Sequence, residues 1–95
     1  MVISMLQFVV ELPDTTSLKE KRKVIKGLKG KIIDRFKVSA AEVDLHESLT
    51  FGQIGVALVS NDKQFGESVM HKILNFAERW VPGRIQDVEI YSEQF

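Results

Sequence analysis

The chain opens on Val2-Ile-Ser-Met-Leu-Gln-Phe-Val-Val-Glu11, a dense run of β-branched and aromatic residues too short for a helix face, which predicts a first strand. Pro13-Asp14 ends it in a turn. The period then changes. Leu18, Ile25, Leu28, Ile32 and Phe36 fall within about 80° of arc at about 100° per residue, which predicts a helix from about 18 to 35. Ser17-Leu-Lys-Glu20 stands in front of it as a capping box: the Ser17 hydroxyl can accept from the Glu20 amide, and the Glu20 carboxylate can reach back. Gly27 and Gly30 lie on the outer side of this helix and each weakens it by about 1 kcal/mol relative to Ala, a loss that packing has to offset. Lys37 to Asp44 predicts a second strand. The connection after it, Leu45 to Gly52, is long for a hairpin and carries Leu49 and Phe51. Gln53 to Ser60 alternates Ile54, Val56 and Leu58 against Gly55 and Ala57, a strand with one bulky and one flat face. Asn61-Asp62 supplies an N-cap, and Phe65, Val69, Ile73, Phe76 and Trp80 form the stripe of a second helix that Pro82-Gly83 stops. Gln86 to Tyr91 predicts a last strand with Val88 and Ile90 on one face.

The order β-α-β-β-α-β makes two crossovers around a hairpin. It predicts a single α+β domain over residues 1–95, ferredoxin-like, with a four-stranded antiparallel sheet and both helices on one face. Both faces of the first strand are apolar, since Leu6, Phe8 and Val10 alternate with Ile3, Met5 and Val9. One set lies under the helices. The other, Ile3, Met5 and Val9, is left on the bare side of the sheet as a candidate interface between copies, in a homodimer. The alternative is that the Leu45 to Gly52 connection folds over that side.

Composition narrows the function classes. Hydrophobic residues at 44% and charged residues at 27% describe a folded globular chain rather than a disordered one. The absence of cysteine removes disulfides, thiolate metal sites and cysteine nucleophiles. The apolar runs are too short to cross a bilayer, and the N-terminal run lacks the flanks of a signal peptide. We therefore expect a cytoplasmic protein with no membrane partner. Thirteen basic and thirteen acidic residues cancel overall, but nine Lys or Arg and only two acids fall between Lys19 and Lys37. That segment is +7 and the remainder −7, an asymmetry that points to a polyanionic partner.

Chemistry is otherwise sparse. A base-stacking sheet of this topology carries aromatics on its two central strands, and here the flat side of the third strand offers Gly55 and Ala57 and no aromatic. An acylphosphatase-like cradle needs an arginine before the first helix, and Leu12 to Thr16 has none. Asp44, His46 and Glu47 are a short cluster without a fourth ligand, and His71 lies off the apolar stripe, so both histidines read as solvated and no metal or other cofactor is expected. Glu42 and Asp44, two apart on one strand, read as a polar edge. No catalytic constellation stands out, and the chain is expected not to be an enzyme.

With Leu18 at zero, Lys29, Arg22, Lys26, Lys19 and Lys23 fall at about 20°, 40°, 80°, 100° and 140°, one contiguous sector beside the apolar stripe with no acid in it. Like charges at i,i+4 cost a few tenths of a kcal/mol each, so helix stability alone does not account for the arrangement. Phosphate is the natural partner. The competing reading is a solvated basic face balanced by the acidic remainder of the same chain or of a partner subunit.

At Ser17-Leu-Lys-Glu-Lys-Arg-Lys-Val24, Val38-Ser-Ala-Ala-Glu-Val43 and Gly55-Val-Ala-Leu-Val-Ser-Asn-Asp62 the chain resembles the YlxP-like family of small bacterial proteins, a domain of unknown function. The three segments keep the family's order and spacing, and the likeness runs from about residue 2 to the C-terminus. The resemblance implies a ferredoxin-like fold and brings no established catalytic residues. Family members are often encoded near translation and ribosome-maturation genes, which implies association with RNA or a ribosomal subunit. The expectation is therefore a non-enzymatic accessory protein that contacts RNA through Lys19, Arg22, Lys23, Lys26 and Lys29. The alternative is a self-associating structural or ligand-sensing domain built on the open sheet face.

Overall fold

In the computed structural model, which describes all 95 residues, six elements follow one another: β1 (Val2–Glu11), α1 (Leu18–Phe36), β2 (Ser39–Asp44), β3 (Phe51–Ser60), α2 (Lys63–Trp80) and β4 (Arg84–Gln94). The strands form one antiparallel sheet in the order β2-β3-β1-β4, and both helices pack on the same side of it, the ferredoxin-like arrangement. β1 is central because its alternation satisfies both ladders and the core together. Val2, Ser4, Leu6, Phe8 and Val10 are buried beneath the helices, while Ile3, Met5 and Gln7 are half-buried on the open side. Ile54 and Val56 of β3, Ile25, Leu28 and Ile32 of α1, and Met70, Ile73 and Ala77 of α2 complete the core.

α1 starts where its sequence says. Ser17 is extended and its Oγ accepts from the Glu20 amide at 3.2 Å. The Glu20 carboxylate reaches one residue further back than a capping box requires, and accepts from the Thr16 amide at 2.8 Å. At the other end Lys37 adopts the left-handed conformation (φ 56°) and its N–H returns to Ile33 O. Lys37 is thus the helix cap, and β2 begins only at Ser39.

α2 departs from expectation. Its buried stripe is Gly66, Met70, Ile73 and Ala77, rotated by one residue from the one the large side chains suggested, and Phe65 is 55% exposed. The cause is Gly66. A Cβ at that position would overlap the Ser4 side chain, whose Oγ shares a 2.7 Å hydrogen bond with Ser92 Oγ. The first turn of α2 rests directly on the sheet there, and helix rotation follows from that contact. In β4 a bulge at Asp87 (φ 53°) shifts the register against β1, and Val88 is exposed rather than packed with Ile90.

The β2–β3 connection is shorter than its sequence indicated, because β3 already begins at Phe51 and Gly52 is buried within it. Leu45 to Thr50 turns toward the start of α1: the Leu12 amide donates to Thr50 O at 2.6 Å and Thr15 Oγ1 to Leu49 O at 2.7 Å. It does not cover the open face of the sheet.

Candidate functional site

Burial of one stripe of α1 determines where its charges go. Lys21, Ile25, Leu28 and Ile32 point into the protein, so Lys19, Arg22, Lys23 and Lys26 stand on the exposed surface, with Lys29 half-buried at the margin. The five predicted cations therefore share one face of one rigid element. Lys31 and Arg35 of the same helix, and Lys63, Lys72 and Arg79 of α2, extend the positive surface across the helix layer. The two helices together hold eleven Lys or Arg against four Asp or Glu, a net +7, and everything else in the chain is −7. The molecule is a dipole with a cationic helix layer and an anionic remainder.

These cations are not neutralised internally. The protein has two ion pairs, Lys21 with Glu42 and Arg84 with Glu11, and neither uses a residue of the exposed sector. Lys23, Lys26, Gly27, Gly30, Lys31 and Asp34 line an open, shallow trough of about 520 Å³. Gly27 is not simply an outward glycine. A Cβ there would stand 3.1 Å from the Trp80 ring, so its bareness seats an indole that remains 36% exposed beside the lysines. A second recess of about 500 Å³ lies where the helices meet, among Arg35, Lys72, Asn75 and Arg79. There the Arg35 guanidinium sits 5.1 Å from the centroid of the Phe76 ring, which itself meets Phe36 edge-on at 5.9 Å. Exposed cations around two open recesses, each with one carboxylate in its lining (Asp34 and Glu78), and a partly bare aromatic ring are features a nucleic-acid backbone and an unstacked base can use.

Sequence reasoning missed three of these features. Lys21 was one more cation in a basic run, yet it is fully buried and tied to the β2–β3 turn. Its helical angle, about 300° from Leu18, lies inside the apolar arc and carries that signal. Glu42 correspondingly is not a polar edge but the partner of Lys21. Trp80 and the Arg35, Lys72 and Arg79 recess come together only through the packing of α1 on α2, and no local spacing reveals them.

The other predicted residues are placed as follows. His46 and His71 are exposed; His46 Nε2 lies 3.2 Å from the backbone oxygen of Glu42, and no three His, Asp or Glu side chains converge as ligands. On the open sheet face, Ile3 and Met5 are half-buried, but Val9 is only 9% exposed and is already shielded within its own subunit. No helix is long and apolar enough to cross a membrane.

Residues 3–90 match the family model described as "Protein of unknown function (DUF503)". The Bacillus subtilis (strain 168) protein described as uncharacterized protein YlxP is 31% identical over 65 residues, which span 68% of this chain and 71% of that one. Among solved structures, the de novo designed protein Foldit4 aligns over 99% of this chain and 97% of its own with a TM-score of 0.56 and 14% identity, a likeness of fold alone.

Proposed function

The chain belongs to the DUF503 family, whose function is unknown, and we propose that it acts as a non-enzymatic cytoplasmic accessory protein that binds RNA, free or in a ribosomal subunit, through the outer face of its helix layer. One observation carries this reading: Lys19, Arg22, Lys23 and Lys26 are exposed on one face of α1 and none is ion-paired. Holding like charges together costs free energy in the unbound protein. That cost is recovered when the phosphates of a polyanion take these cations in place of condensed counterions, which are released to solution. The contacts go to phosphates, so they position the protein without reading sequence. The Trp80 ring beside Gly27 adds a stacking surface for one unpaired base.

The test is the salt dependence of binding to a single-stranded RNA oligonucleotide. Affinity should fall with a log–log slope of about −0.7 per phosphate contact. Replacing Arg22, Lys23 and Lys26 together by Gln removes three exposed contacts and should flatten the slope by about two units, with the fold unchanged. An unchanged slope in a folded triple variant overturns the assignment of this face.

A further inference from the structure

We infer that the open face of the sheet is the seat of a second copy of this chain, related by a two-fold axis parallel to the strands, with Tyr91 of each copy in a groove of the other. Tyr91, Met5, Ala57 and Ser39 lie in one continuous row across β4, β1, β3 and β2. The next row is Glu89, Gln7, Gly55 and Ala41. Both rows run from large side chains on β4 and β1 to small ones on β3 and β2. The sheet is therefore raised on one half and hollow on the other. The hollow is an apolar groove of about 320 Å³, lined by Met5, Ala41, Val43, Gly55 and Ala57 among others. On the raised half Tyr91 is 55% exposed.

A two-fold axis between β1 and β3, along the strands, superposes each row on itself in reverse. It carries β4 over the partner's β2 and β1 over its β3. Tyr91 then meets the level of Ser39, and Met5 meets Ala57. The row beyond brings Ile3 over Val59, and Val59 is 63% exposed. An axis perpendicular to the strands would instead set Tyr91 on Tyr91 and hollow on hollow. Size complementarity selects the first.

Charge agrees with the same axis. On the open side β1 and β3 carry one ionised group, Glu11, already paired with Arg84 at 3.1 Å. Glu89 and Glu93 stand on β4, and the axis places β4 over Ser39 and Ala41, which are uncharged. Within these two rows no two carboxylates meet; at the end of the sheet Gln86, next to Asp87, comes level with Asp44, and both aspartates are exposed at the rim, where they keep their water. The hydrogen bond from Gln53 Nε2 to Gln7 Oε1, at 2.8 Å, already satisfies part of the polar centre of the face. Four strands about 4.8 Å apart and roughly 30 Å long present a flat face of roughly 500 Å², so two copies bury about 1,000 Å², the lower end of the range for a specific interface. The helix layers end up on opposite outer sides, so the cationic surface stays free in the dimer.

Sedimentation across a dilution series tests the association, and two variants test the geometry. Tyr91→Ala removes the projection and Ala57→Phe fills the groove. Both positions are exposed in the single subunit, so circular dichroism should be unchanged while the dimer dissociation constant rises by roughly tenfold or more in each. Facing sheets stand about 10 Å apart, beyond the reach of a disulfide. A short bis-maleimide should therefore link Tyr91→Cys protein to Ser39→Cys protein in a mixture, and the native chain adds no competing thiol. A wild type that stays monomeric at every concentration overturns the inference. So does a dimer that both variants leave intact, or one in which Tyr91→Cys copies link to each other in preference. The RNA salt slope of the Ala57→Phe monomer should match that of the wild type, so failure of the interface and failure of the RNA reading are separate results.

Discussion

The ammonium of Lys21 lies 3.3 Å from Glu42 Oε2 in the interior, where the first turn of α1 crosses β2. Nζ also donates to Leu45 O at 2.6 Å and Ser48 O at 2.9 Å, with His46 O at 3.4 Å. An ammonium has three protons. The turn carbonyls take them, and Glu42 Oε2, buried and without a hydrogen bond of its own, meets the cation as a counter-charge. Leu45 is held in the left-handed region at φ 64°, which costs a non-glycine residue about 1 kcal/mol or more. The lysine is what makes that turn conformation worth holding.

Lys21→Met keeps most of the side-chain volume and deletes the charge. It leaves Glu42 buried and uncompensated, so chemical denaturation should show a loss of about 3 kcal/mol or more. Adding Glu42→Leu should recover most of that loss, because removing both charges removes the desolvation penalty with the attraction. A Lys21→Met protein as stable as the wild type would show that the ion pair does not hold the turn.

The contrast between Lys21 and its neighbours explains what the sequence disclosed and what it withheld. Alternation in β1 and β3, the Ser17 cap and the break at Pro82-Gly83 are local signals, and together they specified the element order and the sheet. The exposed cations were legible for the same reason, since an angular sector is a local property. Lys21 lies outside that sector, and its buried pairing was not legible because its partners, Glu42 and the carbonyls of Leu45 and Ser48, come from β2 and the turn after it. The rotation of α2 escaped because Gly66 and Ala77 carry almost no hydropathy, yet small size is what lets a helix approach a sheet. Trp80 on Gly27 joins residues from different helices, and only the packing angle of those helices brings them together.

Gly66→Ala tests that account of α2. Helix propensity alone predicts a gain of about 1 kcal/mol. The new methyl would instead press on the Ser4 side chain against the sheet, and overpacking of this kind costs about 1 to 3 kcal/mol. The denaturation midpoint should therefore fall. Ser4→Gly alone loses the buried bond to Ser92, so the check is the cycle: the double variant should lose less than the sum of the two single losses, because the glycine opens the space that the methyl needs. A Gly66→Ala protein with a raised midpoint would mean that α2 stands further from β1.

Ser17→Ala removes the acceptor of the Glu20 amide and should cost about 1 kcal/mol. The cap supports the turn that carries Lys21, so the effect should extend beyond the helix. Amide hydrogen exchange across residues 45–50 should quicken along with that of the first turn of α1. Faster exchange confined to the helix would separate the cap from the latch.

Tyr91 is the one tyrosine in the chain, so its phenolate absorbance reports a single group. The hydroxyl donates to Glu93 Oε1 at 3.1 Å. That bond retains the phenolic proton, the carboxylate charge opposes the phenolate, and slight desolvation acts in the same direction, so the pKa is raised above its ordinary value near 10. The folded protein thus favours the neutral phenol. The contribution is present below the pKa of an unfolded tyrosine and is lost as pH rises through the folded value. Titration should give a midpoint above that of the denatured chain, and Glu93→Gln should lower it. Repeating the titration at high and low protein concentration carries the test to the dimer. A phenol seated in the partner's apolar groove ionises less readily than one in water, so the midpoint should rise with concentration in the wild type and stay fixed in Ala57→Phe. A midpoint that is independent of concentration in the wild type, under conditions where sedimentation shows a dimer, would place Tyr91 outside the interface.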